Sequence, residues 1–311
     1  MKTNISLILI LCLLLGACKN GNASSQNKSE TPQDTIKAIK MPAIPQMMTA
    51  PEQRADFLAK HYWDNVNFAD TNYIHHPEVT EQAWADYCDL LNHVPLETAQ
   101  QAMRNVIDRT NVDKKVFTYI TDLADKYLYD PNSPMRNEEF YIPVLEAMIA
   151  SPVLNETEKI RPQARLKLAQ KNRIGTKALN FTYTLASGAQ GSLYQLKAEY
   201  LLLFINNPGC QACTETIEGL KNAPIINQLL QEKKLVLLSI YPDEELDEWK
   251  KHLSEFPNEW INGYDKKFTI KEEQVYDLKA IPTLYLLDKD KTVLLKDATA
   301  PAIEAYLMQH K

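Results

Sequence analysis

The sequence predicts two domains of different class: an all-helical domain of about six helices over residues 46–177, then a mixed α/β domain over 178–311. Three observations carry this. From Pro51 to about Ala178 apolar residues recur at helical spacing, and glycine is nearly absent before Gly175. Beyond Gly175, short alternating or continuous apolar runs take over, separated by amphipathic stretches and ending in a hairpin pattern. One of those runs, Tyr200–Ile205, leads into Cys210-Gln211-Ala212-Cys213, which precedes a helix-like stretch.

In the first domain Pro51-Glu52 opens a helix with proline and an acid in its first turn, and Phe57, Leu58, His61 and Tyr62 share a face. Residues 68–77 read as a loop. Pro77-Glu78 starts a second helix whose face carries Trp84, Tyr87, Cys88 and Leu91. Pro95 starts a third, burying Ala99, Ala102, Met103, Val106 and Ile107. A fourth runs from about Asp113 to Tyr129, burying Val116, Phe117, Ile120, Leu123, Ala124 and Tyr127. The break Asp130-Pro-Asn-Ser-Pro134 separates it from a fifth over about 137–149, with Pro143 inside, and a sixth covers about 156–171.

In the second domain Phe181–Leu185 alternates like a strand and residues 187–191 form a turn. Tyr200–Ile205 and Leu235–Ile240 read as buried strands. Residues 213–230 are helical with an interruption near Pro224, and 243–256 form an amphipathic helix. Leu284–Leu287, the turn Asp288–Lys291 and Thr292–Leu295 form a hairpin, and residues 301–308 a closing helix.

Composition excludes some functions. A formal net charge of −6 and the lack of a basic run exclude a nucleic-acid partner. There is no glycine-rich phosphate loop and no GxSxG. His75 and His76 lie next to Glu78, but adjacent loop side chains diverge and no second ligand pair has metal spacing, so no metal is expected there. No cofactor is called for. His61, Tyr62 and Trp63 read as domain core.

The N-terminus is an export signal over 1–17: Ile5–Leu15 is apolar but too short to span a bilayer. It ends in Leu15-Gly-Ala-Cys18, which resembles a bacterial lipobox, with a polar tract after it. The resemblance implies cleavage before Cys18 and acylation there, with enough chains for a stable anchor. Lys19 is not the aspartate of inner-membrane retention, and residues 19–22 lack the acids of surface export. Both points, carried over from lipoproteins, place the chain in the outer membrane facing the periplasm. Residues 18–45 then form a disordered or extended tether. Cys12 leaves with the signal, and Cys88 reads as a small buried hydrophobe.

Two thiols spaced Cys-x-x-Cys at a strand-to-helix junction can close and reopen a disulfide, and the helix N-terminus favours a thiolate on the first sulfur. Zinc sites use the same spacing, so the surroundings decide. Residues of about 178–311 resemble the thioredoxin-like family, in particular the TlpA/ResA group of exported thiol–disulfide oxidoreductases. The resemblance rests on Ala178–Thr182 as entry strand, Gly191–Lys197 before the central strand, the two cysteines, and Ile281-Pro282-Thr283 about seventy residues later. The helical half resembles an uncharacterised domain preceding such modules in lipoproteins of Bacteroidota, through His61–Asp64, Asp70–Pro77 and Glu81-Gln-Ala. That second resemblance implies an architecture and no activity.

The family resemblance implies a cis bond before Pro282, which brings the Ile281 backbone beside the disulfide to pair with a substrate segment. It implies Cys210 as attacking thiolate and Cys213 as resolving thiol, acting on protein thiols and disulfides with a further redox partner. Three positions depart from the family. Phe204 stands where thioredoxins have a buried aspartate, Thr216 where ResA-like reductases have a glutamate, and Gly209 where tryptophan is usual. The proton acceptor for Cys213 is therefore not identifiable; Glu215 and Glu218 read as solvated helix residues. Two other readings stand beside the oxidoreductase. One is a redox-inert binding or scaffold lipoprotein, which the missing acid supports. The other is metal binding through the two thiols, which Pro282 should block.

Overall fold

A computed structural model describes residues 38–310. The expected export signal, Cys18 and the tether up to residue 37 lie outside the described residues. The described chain belongs to one compact unit. Residues 38–45, expected as tether, have no regular structure but are docked: Ile39 packs on the helical core, and the Lys40 carbonyl accepts from Asn65 at 2.9 Å. Among the described residues no helix is long and apolar enough to cross a membrane.

Six α-helices build the first half: α1 Pro51–His61, α2 Pro77–Leu91, α3 Leu96–Arg109, α4 Lys114–Ala124, α5 Glu138–Ala150 and α6 Glu156–Ala169. Local chemistry sets their starts. Proline opens α1 and α2, where its missing N–H is harmless. The Asp113 side chain caps α4, Asn137 caps α5, and Asn155 with Glu158 forms a reciprocal capping box on α6. The faces expected of α2 and α3 are buried, with Trp84, Tyr87, Met103 and Ile107 in one core.

Three details differ from expectation. The expected loop 68–77 contains a 3₁₀ helix, Thr71–His75, held by the Asp70 side chain on the Asn72 N–H. The fourth helix ends in a π-helical turn, Asp125–Tyr129. That wider turn leaves Tyr127 half-buried and gives Leu128 the interior place. Tyr62 and Trp63 are core residues, but His61 stays partly exposed, paired with Asp64 at 2.7 Å.

The second half is a seven-stranded mixed sheet: β1 Thr182–Leu185, β2 Gln190–Ser192, β3 Tyr200–Ile205, β4 Leu235–Tyr241, β5 Ile261–Tyr264, β6 Thr283–Asp288 and β7 Val293–Lys296. Its helices are α7 Gln211–Lys221, α8 Pro224–Gln231, α9 Leu246–His252, α10 Thr269–Glu272 and α11 Ala300–His310. The strand order is β2-β1-β5-β4-β3-β6-β7. Strands β3, β4 and β5 are parallel, while β1, β2, β6 and β7 pair antiparallel.

The continuous apolar run of β3 follows from burial on both faces. Tyr200, Leu202 and Phe204 pack against Ile217, Leu220, Ile226, Ile303 and Leu307 of α7, α8 and α11. Leu201, Leu203 and Ile205 enter a second core with Phe181, Tyr183 and Tyr276. Strand β5 and α10 escaped the sequence reading. Strand β5 is short and holds Gly263 and Asn262, so its apolar signal is weak.

Candidate redox site

The site forms where β3, the central buried strand, hands over to α7. After Ile205 the chain turns through Asn206-Asn207-Pro208-Gly209. Gly209 has φ of +68°, the left-handed region open to glycine at little cost. A tryptophan would be strained at this backbone conformation. The turn is tied down. The Asn206 Nδ2 donates to Ser239 Oγ at 2.8 Å and its backbone N–H to Ile240 O at 3.0 Å. Asn207 Nδ2 donates to Asp243 at 2.9 Å, and Asp243 in turn pairs with Lys271 at 2.9 Å. A cleft of about 430 Å³ runs beside it, lined by Asn207, Pro208, Tyr241, Asp243, Glu245 and Lys271 among others.

Cys210 is the N-cap residue of α7, and its Sγ accepts the Cys213 N–H at 3.3 Å. It is half-buried, while Cys213 is only 1% exposed. Both are free thiols. Burial, reinforced by the neighbouring Cys210 sulfur, pushes the Cys213 thiol up to about 12; the Asn207 backbone N–H pulls the other way and loses.

The Ile281–Pro282 bond is cis, and the Cys210 Sγ donates to the Ile281 carbonyl at 3.8 Å. The structure thus brings together the four residues that the sequence singled out for exchange and substrate pairing. Thr283 ties the loop internally, its hydroxyl donating to Ala280 O at 2.6 Å.

No carboxylate takes the acid positions of the family. Phe204 lies in the apolar core, edge-on to Trp260 with centroids 6.4 Å apart. The Thr216 hydroxyl donates to Ala212 O at 2.8 Å. Glu215 accepts from Gln211 at 2.9 Å, and Glu218 pairs with Lys221 at 2.9 Å, both on the exposed side.

Cys88 is 2% exposed, and burial pushes its thiol up to about 12. Among the described residues no cluster of three or more His, Cys, Asp or Glu could hold a metal ion. His76 instead bonds Glu78 at 3.0 Å.

Sequence reasoning missed the residues that hold the cis-proline loop from outside. Lys279 donates to Asp277 at 2.7 Å, Asp297 at 3.2 Å and Glu138 at 3.5 Å. Glu138 lies in the first turn of α5, a place where acids are ordinary. Nothing in the pattern pairs it with a lysine 141 positions away.

A buried strand running into a paired-cysteine helix, faced by a cis-proline loop, defines a thioredoxin-like protein. Comparison with known families agrees: residues 198–293 match a family described as thioredoxin-like, and residues 17–172 match a domain of unknown function, DUF5106. The chain is 83% identical to a thioredoxin-like protein from Bacteroides caccae of known crystal structure, over 89% of this chain and 100% of that one, with a TM-score of 0.87. It is 69% identical to the C-terminal domain of an uncharacterised protein from Bacteroides fragilis, over 44% of this chain and 98% of that one, with a TM-score of 0.44. A comparison with curated proteins found no match. The chain belongs to this thioredoxin-like family, with a DUF5106 domain preceding the thioredoxin-like module.

Proposed function

We propose that this protein is a thiol–disulfide oxidoreductase of the cell envelope, acting on protein thiols and disulfides and anchored by lipid at Cys18. The observation that carries the redox reading is the placement of Cys210 at the α7 N-terminus, with the Ile281 carbonyl beside it and Cys213 behind it.

The exchange runs as follows. Cys210 loses its proton to solvent, and its thiolate attacks one sulfur of a substrate disulfide. A Cys210–substrate S–S bond forms, and the substrate's S–S bond breaks. The departing substrate sulfur leaves as thiolate and takes up a proton. Cys213 then gives up its proton and attacks Cys210 Sγ. The Cys210–Cys213 disulfide forms, and the second substrate thiol departs. Two electrons pass from the protein to the substrate, and a redox partner returns them. The reverse course oxidises a dithiol, and potential and partner choose between the two. Beside the sulfur, the Ile281 backbone is placed to pair with an extended substrate segment.

Burial makes the second step the demanding one, because Cys213 holds its proton tightly. The empty acid positions at Phe204 and Thr216 favour one further reading, a redox-inert module that binds partners without exchange. Equilibration of the pair against glutathione or dithiothreitol buffers decides between them. Reversible exchange that is lost in Cys210→Ser supports the enzyme. A pair that does not exchange overturns it.

The envelope location rests on Leu15-Gly-Ala-Cys18 and on the polar segment that follows. We place the protein at the outer membrane, facing the periplasm. Cell fractionation tests this: Cys18→Ser should release the protein from the membrane, and retention of that variant would sink the anchor.

A further inference from the structure

The charges around Lys279 are buried where the helical half meets the cis-proline loop. The Lys279 side chain is 11% exposed, Asp277 4%, Asp297 11% and Glu138 13%. Burial alone would lower the Lys279 pKa, but Asp297, Glu138 and Asp277 together raise it above its ordinary value. Its ammonium also lies over the ring of Tyr129, 5.2 Å from the centroid.

The partners come from three places. Asp277 precedes the loop and also accepts the Lys279 backbone N–H at 2.9 Å. Asp297 follows β7. Glu138 and Tyr129 belong to the helical half. Glu138 is doubly held, since Lys296 of β7 also pairs with it. Lys296 further donates to Lys171 O at 2.8 Å and Ala169 O at 3.3 Å, closing the end of α6. Arg136 adds a bond to Asp297 O at 2.6 Å. The loop that carries Ile281 and Pro282 starts two residues after Lys279.

We infer that Lys279 and Glu138 are positioning residues through which the helical half holds the Ile281–Pro282 loop at the registry needed to bind an extended polypeptide beside Cys210. This rests on the oxidoreductase reading above. The helical half is then part of the substrate site by mechanical support: a loop anchored at its start pairs with a peptide without first being ordered. A small disulfide that needs only the sulfur of Cys210 should not depend on that support.

The test compares the whole wild-type protein with Glu138→Gln, Lys279→Met and Lys279→Arg. Each is assayed with hydroxyethyl disulfide and with an extended peptide carrying a disulfide, and each melting temperature is recorded. Glu138→Gln and Lys279→Met should raise KM for the peptide by about fivefold with kcat little changed, and leave the rate with hydroxyethyl disulfide as it was. Lys279→Arg, which keeps the charge, should restore the peptide KM. A purely structural role would lower the melting temperature and move both substrates together, or neither; either result overturns the positioning role. Should Lys279→Met fail to fold, Glu138→Gln, which keeps the side-chain shape, decides alone. If the wild type exchanges neither substrate, the oxidoreductase reading falls and takes this one with it. If it exchanges both and the variants match it, only the positioning role falls.

Discussion

The Cys210 Sγ donates to the Ile281 carbonyl at 3.8 Å, across 71 positions of chain. That contact joins the α7 N-terminus to the cis-proline loop; in the proposed reaction it would set where a substrate backbone lies relative to Cys210. Cys213, whose backbone N–H also bonds the Cys210 Sγ, is closed off from solvent.

This asymmetry predicts which mixed disulfide can be trapped. Cys213→Ser should accumulate a covalent adduct between Cys210 and a disulfide substrate, since no thiol remains to resolve it. Cys210→Ser should give no adduct and lower turnover by at least about a hundredfold. Non-reducing electrophoresis with peptide mass mapping checks both. An adduct on Cys213 in the Cys210→Ser protein would contradict the assigned order of attack.

The same burial should show in alkylation. With its thiol held up near 12, Cys213 carries about a thousandfold less thiolate at neutral pH than a thiol at 9.0. Iodoacetamide at pH 7 should therefore label Cys210 while Cys213 and Cys88 stay unmodified in the folded, reduced protein. Time-resolved mass spectrometry reads the order. Equal labelling of Cys210 and Cys213 would show that α7 opens readily.

Cys88 makes stability depend on pH. Its folded thiol titrates at about 12, against 9.0 when unfolded, so the folded state keeps the proton more tightly. Its contribution is complete below pH 9 and is lost as pH rises towards 12. At pH 10 the unfolded state gains about 1 kcal/mol from this one group. Cys88→Ala should be less stable at pH 7 by about 1 kcal/mol, yet lose less than the wild type between pH 8 and pH 10. Denaturant titrations at the two pH values measure the difference. Parallel losses in both proteins would rule out Cys88 as a source.

Gly263 should tolerate no side chain. An added Cβ would sit 2.9 Å from Tyr183 Cδ2 and 3.3 Å from Thr184 O. Gly263→Ala should destabilise by about 1–3 kcal/mol, because Tyr183 is packed on the second core and one neighbour is backbone. A thermal melt tests it, and an unchanged melting temperature would mean that β1 and β5 separate without cost.

By itself the sequence determined the class of each half, the six α-helices and the prolines at the start of three of them, the buried strands β3 and β4, the β6–β7 hairpin, and the two thiols spaced at a strand-to-helix junction. These follow from short-range facts: helical spacing of apolar residues, prolines at helix starts, continuous apolar runs, and a two-residue gap between thiols. Where local signals were weak or ambiguous, the reading fell short. Strand β5 lacks an apolar run, and the π turn after α4 exchanged Tyr127 for Leu128. The resemblance already implied Ile281 beside Cys210; the tertiary structure alone decided how completely Cys213 is shut away and that Glu138 of the helical half meets Lys279. The reason is physical. Burial and charge pairing depend on which distant segments share a volume, and the sheet order, with β6 laid against β3, brings those segments together.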